Sequence, residues 1–299
     1  MKKSDDKPVV AGIGELLWDI LPAGKQLGGA PFNFAYHASQ AGCEGIVISA
    51  VGKDELGKEI IKQVQKLGLT SQFIQFNLYP TGVVSIKLDE NGNPQYTIHE
   101  NVAWDHLHWD KSLAKIVTKL DAVCFGSLIQ RNWDAKKTIL KFLKNVNSGC
   151  LKVFDINLRQ HYFSREIVVE SLQLSDILKL NEDELQVISD YLNLKGNVEF
   201  QLKYIFREFN LKYLAYTMGS EGSILLSANE ESFMKVPKVK VVDTVGAGDS
   251  FTAMMVAGIL YKKNIRTIHK CATDVAAYVC KQHGATPKIP IELLKSIVK

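Results

Sequence analysis

A paired-cysteine framework is missing from this sequence. Its five cysteines, Cys43, Cys124, Cys150, Cys271 and Cys280, are odd in number, widely spaced and form no Cys-x-x-Cys pair. That argues against a disulfide scaffold or a thiolate metal site and fits reduced core residues of a cytoplasmic protein. A dense basic run is missing too. The formal charge of +4 comes from scattered lysines, so neither nucleic acid nor an anionic membrane is the expected partner. No apolar run reaches bilayer-spanning length, and residues 1–8 are charged where a signal peptide would be apolar; the expectation is a cytoplasmic protein. Low-complexity tracts and internal repeats are absent. So are two nucleotide fingerprints. No Gly-x-x-x-x-Gly-Lys-Ser/Thr run exists, and Gly12-Ile13-Gly14 is followed by Leu17 where a dinucleotide motif needs its third glycine, which leaves a nicotinamide oxidoreductase weakly supported.

What is present is ordinary for an ordered globular chain: 299 residues, 46% hydrophobic and 23% charged. One substantial α/β domain with a minor appendage is the natural expectation. Short apolar runs at residues 9–13, 46–51, 122–125, 152–156, 177–180 and 213–217 read as strands. Helical stretches fall between them, at 32–41, from Asp54 to Leu67 with Gly68 as terminator, at 133–146 and from Glu182. Apolar strands separated by amphipathic helices imply a parallel sheet covered on both faces, with ligands beyond its carboxyl edge.

Residues 82–99 break that alternation. Val84, Ile86 and Leu88 alternate with Ser85, Lys87 and Asp89, Asn91 and Gly92 supply a turn, and Tyr96 and Ile98 alternate on the return. This is a hairpin with one apolar face, either a lid above the ligand cleft or an edge extension of the main sheet.

The segment Asp243-Thr244-Val245-Gly246-Ala247-Gly248-Asp249-Ser250-Phe251 follows an apolar run at 239–242 and precedes a helical stretch at 251–261. Gly246, Ala247 and Gly248 therefore fall at a helix start, where small residues let backbone amides approach a phosphate and the helix dipole favours the anion. Asp249 in the first turn could accept the proton of an attacking hydroxyl, assistance typically worth ~10²- to 10⁴-fold. A plain glycine-rich turn with an acidic first helical turn has the same spacing.

Other segments carry the same double reading. Gly28 to Asn33 leads into a helix with Asn33 in its first turn, either a polyol ligand or a turn residue. Asp19 sits between Trp18 and Ile20, either holding sugar hydroxyls or solvated at a strand end. Asn181 and Glu184 have capping-box spacing, and the pattern alone favours a cap. Asp155, Asn157 and Arg159 are two apart and could line one face of the cleft mouth. Thr217, Gly219 and Gly222 form a strand-end turn suited to a nucleotide or to a hairpin. His106 and His108 lack a third ligand by spacing and read as surface or packing residues.

Two segments together carry more. Residues 28–52, opening Gly28-Gly29-Ala30-Pro31-Phe32-Asn33, and residues 243–253 resemble the two signature segments of the PfkB (ribokinase-like) carbohydrate kinases, in the family's order and near the two ends of the chain. The resemblance implies a single domain over 1–299, a three-layer α/β/α sandwich with a small β-sheet lid from about 16–28 and 80–104. It implies transfer of the γ-phosphoryl group of MgATP to a sugar hydroxyl, with small-molecule sugar and ATP as partners. Asp249 would be the base and Gly246, Ala247 and Gly248 the anion hole. Asp19, Gly29, Asn33 and Arg159 would hold the sugar. Asn181 and Glu184 would organise magnesium and phosphates, beside Thr217, Gly219, Gly222 and Thr244. Asp243 and the carbonyl of Val245 resemble part of a potassium site. Gly284 falls near the adenine region. The Gly-Gly-Ala-Pro-Phe-Asn form, with Glu15, Asp19 and residues 100–105, is most similar to fructokinases; ribokinases tend to carry a lysine in the glycine turn. Kinases of ribose or 2-keto-3-deoxygluconate, and a sugar sensor without turnover, are the alternatives. A homodimer through the apolar lid face is a further expectation. Met254 departs from the family's usual small residue, which bears on helix packing.

Overall fold

The computed structural model describes residues 7–21, 24–88 and 94–298. Its strands are β1 (Val9–Ile13), β2 (Leu17–Leu21), β3 (Gly24–Gly28), β4 (Glu44–Gly52), β5 (Ile74–Asn77), β6 (Gly82–Leu88), β7 (Pro94–Ile98), β8 (Ala122–Phe125), β9 (Leu151–Asp155), β10 (Ile177–Asn181), β11 (Tyr213–Thr217), β12 (Ser223–Ser227) and β13 (Glu231–Met234). Its helices are α1 (Ala30–Gln40), α2 (Glu55–Lys66), α3 (Lys111–Ile116), α4 (Trp133–Asn145), α5 (Arg165–Leu174), α6 (Glu182–Leu192), α7 (Val198–Glu208), α8 (Ala247–Leu260), α9 (Ile265–Val279) and α10 (Ile291–Leu294).

The large sheet runs β13-β12-β11-β10-β9-β8-β1-β4-β5. From β11 to β5 every neighbour is parallel, and β12 and β13 are added antiparallel. Alternation along each strand sends side chains to two opposite cores. Val10, Cys124, Val153 and Ile177 pack with Phe251 and Val256 of α8 and Val275 of α9. Ala11, Val123, Phe154 and Leu178 pack with Ile139 of α4, Leu172 of α5 and Ile188 of α6. The result is three layers, helix, sheet, helix. Helix α8 is apolar nearly all round and buried from Ser250 to Gly258, with Met254 fully enclosed, as expected of a central helix.

The hairpin of residues 82–99 does not extend this sheet. Strands β6 and β7 pair antiparallel, Val84 opposite Ile98, and β6 pairs parallel with β2. With β3 they make a separate sheet of order β3-β2-β6-β7. Its turn at Asn91 and Gly92 lies outside the described residues. The apolar run at 239–242 is not a strand; Val241 and Val242 stand exposed. Helix α8 starts at Ala247 with Gly246 at φ 80° as its N-cap and Asp249 in its first turn, as expected, ahead of the apolar stretch that opens at Phe251. Asp54 caps α2 as expected, its Oδ1 accepting from Gly57 N at 2.8 Å. No helix among the described residues is long and apolar enough to cross a membrane.

Candidate active site

Strand β1 lies between β8 and β4, where the sheet grows away in two directions. A crevice opens at such a point beyond the strand ends, and the candidate residues gather along that edge. Glu15 follows β1, Asp155 ends β9, Asn181 ends β10 and Thr217 ends β11. Asn181 and Thr217 are register partners.

Opposite them stand the starts of α1 and α8. Gly246 has no side chain with which to cap α8, so first-turn amides keep capacity for an outside acceptor. The turn is tight: a Cβ on Gly246 would stand 2.5 Å from the Ala285 carbonyl oxygen. Asn33, one turn into α1, donates from Nδ2 to Asp249 Oδ2 at 2.8 Å. This bond joins residues 216 apart in sequence. Burial, reinforced by the Asp155 carboxylate, pushes Asp249 up to about 6, against the pull of Asn33, Lys179 and Arg159. A carboxylate so placed can take a proton while helix-start amides beside it hold negative charge.

Backbone proximity requires the second glycine before α1, and the first lies against the Asp19 carboxylate. Gly29 has φ 118°, and a Cβ there would meet the Glu15 carbonyl oxygen at 2.3 Å; one on Gly28 would meet Asp19 Oδ2 at 2.2 Å. Burial pushes the Glu15 carboxyl up to about 7, with Arg159 opposing. Asp19 is likewise pushed up to about 6 by burial, against Arg159 and with Asp243 adding. Glu15 Oε2 and Asn33 Oδ1 are buried with no protein partner. Such orphaned acceptors suit a ligand rich in hydroxyl groups.

Asp155, Asn157 and Arg159 do not share one face. Strand β9 ends at Asp155, and Asn157 turns the chain with φ 49°. Asp155 is buried and Arg159 exposed. The capping box favoured by pattern alone is present: Glu184 N donates to Asn181 Oδ1 at 2.9 Å and Asn181 N to Glu184 Oε2 at 2.8 Å. Leu158 N donates to the other oxygen, Glu184 Oε1, at 3.2 Å. Each oxygen of the buried Glu184 thus holds one backbone amide, which fixes the turn bearing Arg159 and leaves lone pairs on both oxygens.

Asp243 accepts from Val245 N at 3.0 Å and from Gly284 N at 3.2 Å. Its carboxylate and the Val245 carbonyl are all-oxygen donors, which fits a hard cation. Thr244 precedes the helix, its carbonyl accepting from Ala247 N at 3.3 Å. Gly222, at φ 132°, is required by the β11–β12 connection, since a Cβ would meet the Met234 carbonyl oxygen at 2.5 Å. A Cβ on Gly219 would find nothing within 4 Å, so that side of the turn is open. His106 stacks on Tyr79 and bonds Asn101; among the described residues no acidic, histidine or cysteine cluster makes a metal site there.

Sequence reasoning missed Lys179. Its ammonium bonds Asp155 Oδ1 at 3.0 Å, and Thr252 Oγ1 donates to Asp155 Oδ2 at 2.8 Å. Lysine in an apolar strand was the available signal, because such a residue needs a partner.

Comparison with known proteins matches residues 23–292 to the description "pfkB family carbohydrate kinase". A Pyrococcus horikoshii protein described as an "uncharacterized sugar kinase" is 30% identical over 96% of this chain and 95% of its own. Its crystal structure has a TM-score of 0.82, covering 96% and 97% of the two chains, and another structure of it holds ATP. An ATP-dependent 6-phosphofructokinase of Thermoanaerobacterium thermosaccharolyticum is 25% identical over 98% of this chain and 94% of its own. A Vibrio cholerae fructokinase structure with fructose, ADP and potassium has a TM-score of 0.82 at 21% identity, covering 99% and 100%.

Proposed function

This chain belongs to the pfkB family of carbohydrate kinases, and from that premise we propose that it transfers the ATP γ-phosphoryl group to a hydroxyl of fructose. The observation that carries the reading is Asp249 at the start of α8, bonded to Asn33 at the start of α1.

In this reading Asp19, Gly29, Asn33 and Arg159 hold the sugar, and the orphaned Asn33 Oδ1 takes a hydroxyl donor. The small sheet acts as a lid that excludes water when it closes. Asp249 accepts the hydroxyl proton on a carboxylate oxygen as the sugar oxygen attacks in line, while the amides of Gly246, Ala247 and Gly248 hold the charge on the transferred group. Asn181 and Glu184 would help organise magnesium and phosphates, Thr217, Gly219 and Thr244 border the nucleotide, Gly222 shapes the turn, and Glu184 also fixes the Arg159 turn. Magnesium bound with ATP neutralises phosphate charge. Asp243 and the Val245 carbonyl would hold potassium, a fixed positive charge behind the glycine turn.

The test is ADP release across fructose, fructose 6-phosphate, ribose, adenosine, glucose and 2-keto-3-deoxygluconate, with and without potassium. Fructose is expected to give the highest kcat/KM, with stimulation by potassium. A different best acceptor would overturn the fructose assignment. Tight sugar binding without ADP release would make the protein a sensor.

A further inference from the structure

Lys179 stands out among the buried groups that the proposed reaction leaves unused. It lies on β10 directly opposite Asp155 of β9 in register. Alternation places both on the sheet face where Val153 and Ile177 pack against α8. The pair therefore sits under the first turn of that helix. Thr252, also on α8, holds the second Asp155 oxygen. The ammonium reaches further. A Cβ on Gly248 would stand 3.0 Å from Lys179 Nζ, so the last glycine of the turn leaves room for this ammonium.

Stability alone gives a poor account of this arrangement. A buried ion pair is commonly no more stabilising than apolar residues of similar volume, and the neighbouring strand residues on this face, Val153, Ile177 and Ala215, are apolar. What the pair supplies that apolar residues do not is a fixed charge of each sign beside Asp249. We propose that Lys179 is a positioning residue for Asp249: held on Asp155 beneath the start of α8, its ammonium fixes the electrostatic setting in which Asp249 takes the hydroxyl proton. This rests on the kinase reading above.

The groups that act on Asp249 come from several elements. Asp155 belongs to β9 and Lys179 to β10, Arg159 follows β9 and Glu15 follows β1, while Asn33 is on α1 and the Cys124 thiol on β8. Asp155 pushes Asp249 toward its protonated form, and Lys179, Arg159 and Asn33 pull it toward the ionised form. Burial raises the Cys124 thiol well above its ordinary value, so it stays neutral. Lys179 itself is held protonated, its Asp155 and Glu184 neighbours overcoming burial. Opposite signs from adjacent residues give the inference a signature that a packing role lacks.

The experiment measures the pH dependence of kcat/KM for the best sugar in wild type, Lys179→Gln, Asp155→Asn and the double variant. Titration of the Asp249 carboxyl by carbon-13 NMR runs in parallel and needs no turnover. Lys179→Gln should move the acidic limb and the titration upward by about one pH unit, and Asp155→Asn should move them downward. The double variant should return toward wild type. If Lys179→Gln fails to fold, the downward shift in Asp155→Asn and its reversal in the double variant decide. Unmoved limbs and titrations, or shifts of one sign in both single variants, overturn the proposal while leaving the kinase reading intact. Opposed titration shifts in a protein that phosphorylates no sugar would sink the kinase reading and keep the coupling.

Discussion

Burial pushes the Asp249 carboxyl up to about 6 from 3.8, so the folded state binds that proton more tightly than the unfolded chain does. The stability that the proton confers is present below about pH 4 and lost as pH rises through 6. Asp249→Asn removes this penalty. The variant should unfold at higher urea than wild type at pH 8, by about 1–3 kcal/mol, and match it near pH 4. A chemical-denaturation series at the two pH values checks this; equal midpoints at pH 8 would contradict it. Glycines, acids and amide side chains of this site were legible singly in the sequence. Their partnership was not, since the Asn33–Asp249 and Asp155–Thr252 bonds span 216 and 97 residues.

Helix and strand starts decide how the two sheets meet. One carboxylate does two tasks at that junction. Asp54 caps α2 through Gly57 N, and it also accepts from Thr81 Oγ1 at 2.6 Å and Thr81 N at 2.9 Å, at the entry to β6 of the small sheet. Asp54→Ala should therefore cost about 2 kcal/mol, read as a lower urea midpoint with an unchanged slope. A loss under a few tenths would mean that the cap and the junction are not coupled. The cap itself was readable because Asp precedes an amphipathic run. The link to Thr81 was not. Strands β2 and β3 escaped the periodicity because Asp19 interrupts the apolar run of β2 and β3 is largely polar, opening and closing on glycine. The start of α8 was readable from its small residues, and the positive φ at Gly246 is the backbone feature that makes the turn a helix cap.

Across the molecule, the alternation of apolar strands and helices was enough to give a parallel sheet between two helical layers. The strand order needed the three-dimensional structure, whereas the separate small sheet was already implied by the family resemblance at about 16–28 and 80–104. Every element that carries a candidate residue ends or begins at one edge, and the two signature segments, near opposite ends of the chain, meet there through Asn33 and Asp249. That convergence supports a single reaction centre with Asp249 as its base. The most direct test is kcat for sugar phosphorylation by Asp249→Asn, with folding verified and ATP binding measured alongside. A fall of about 10²- to 10⁴-fold with ATP affinity retained is the predicted result; a folded variant within a few-fold of wild type would contradict the account.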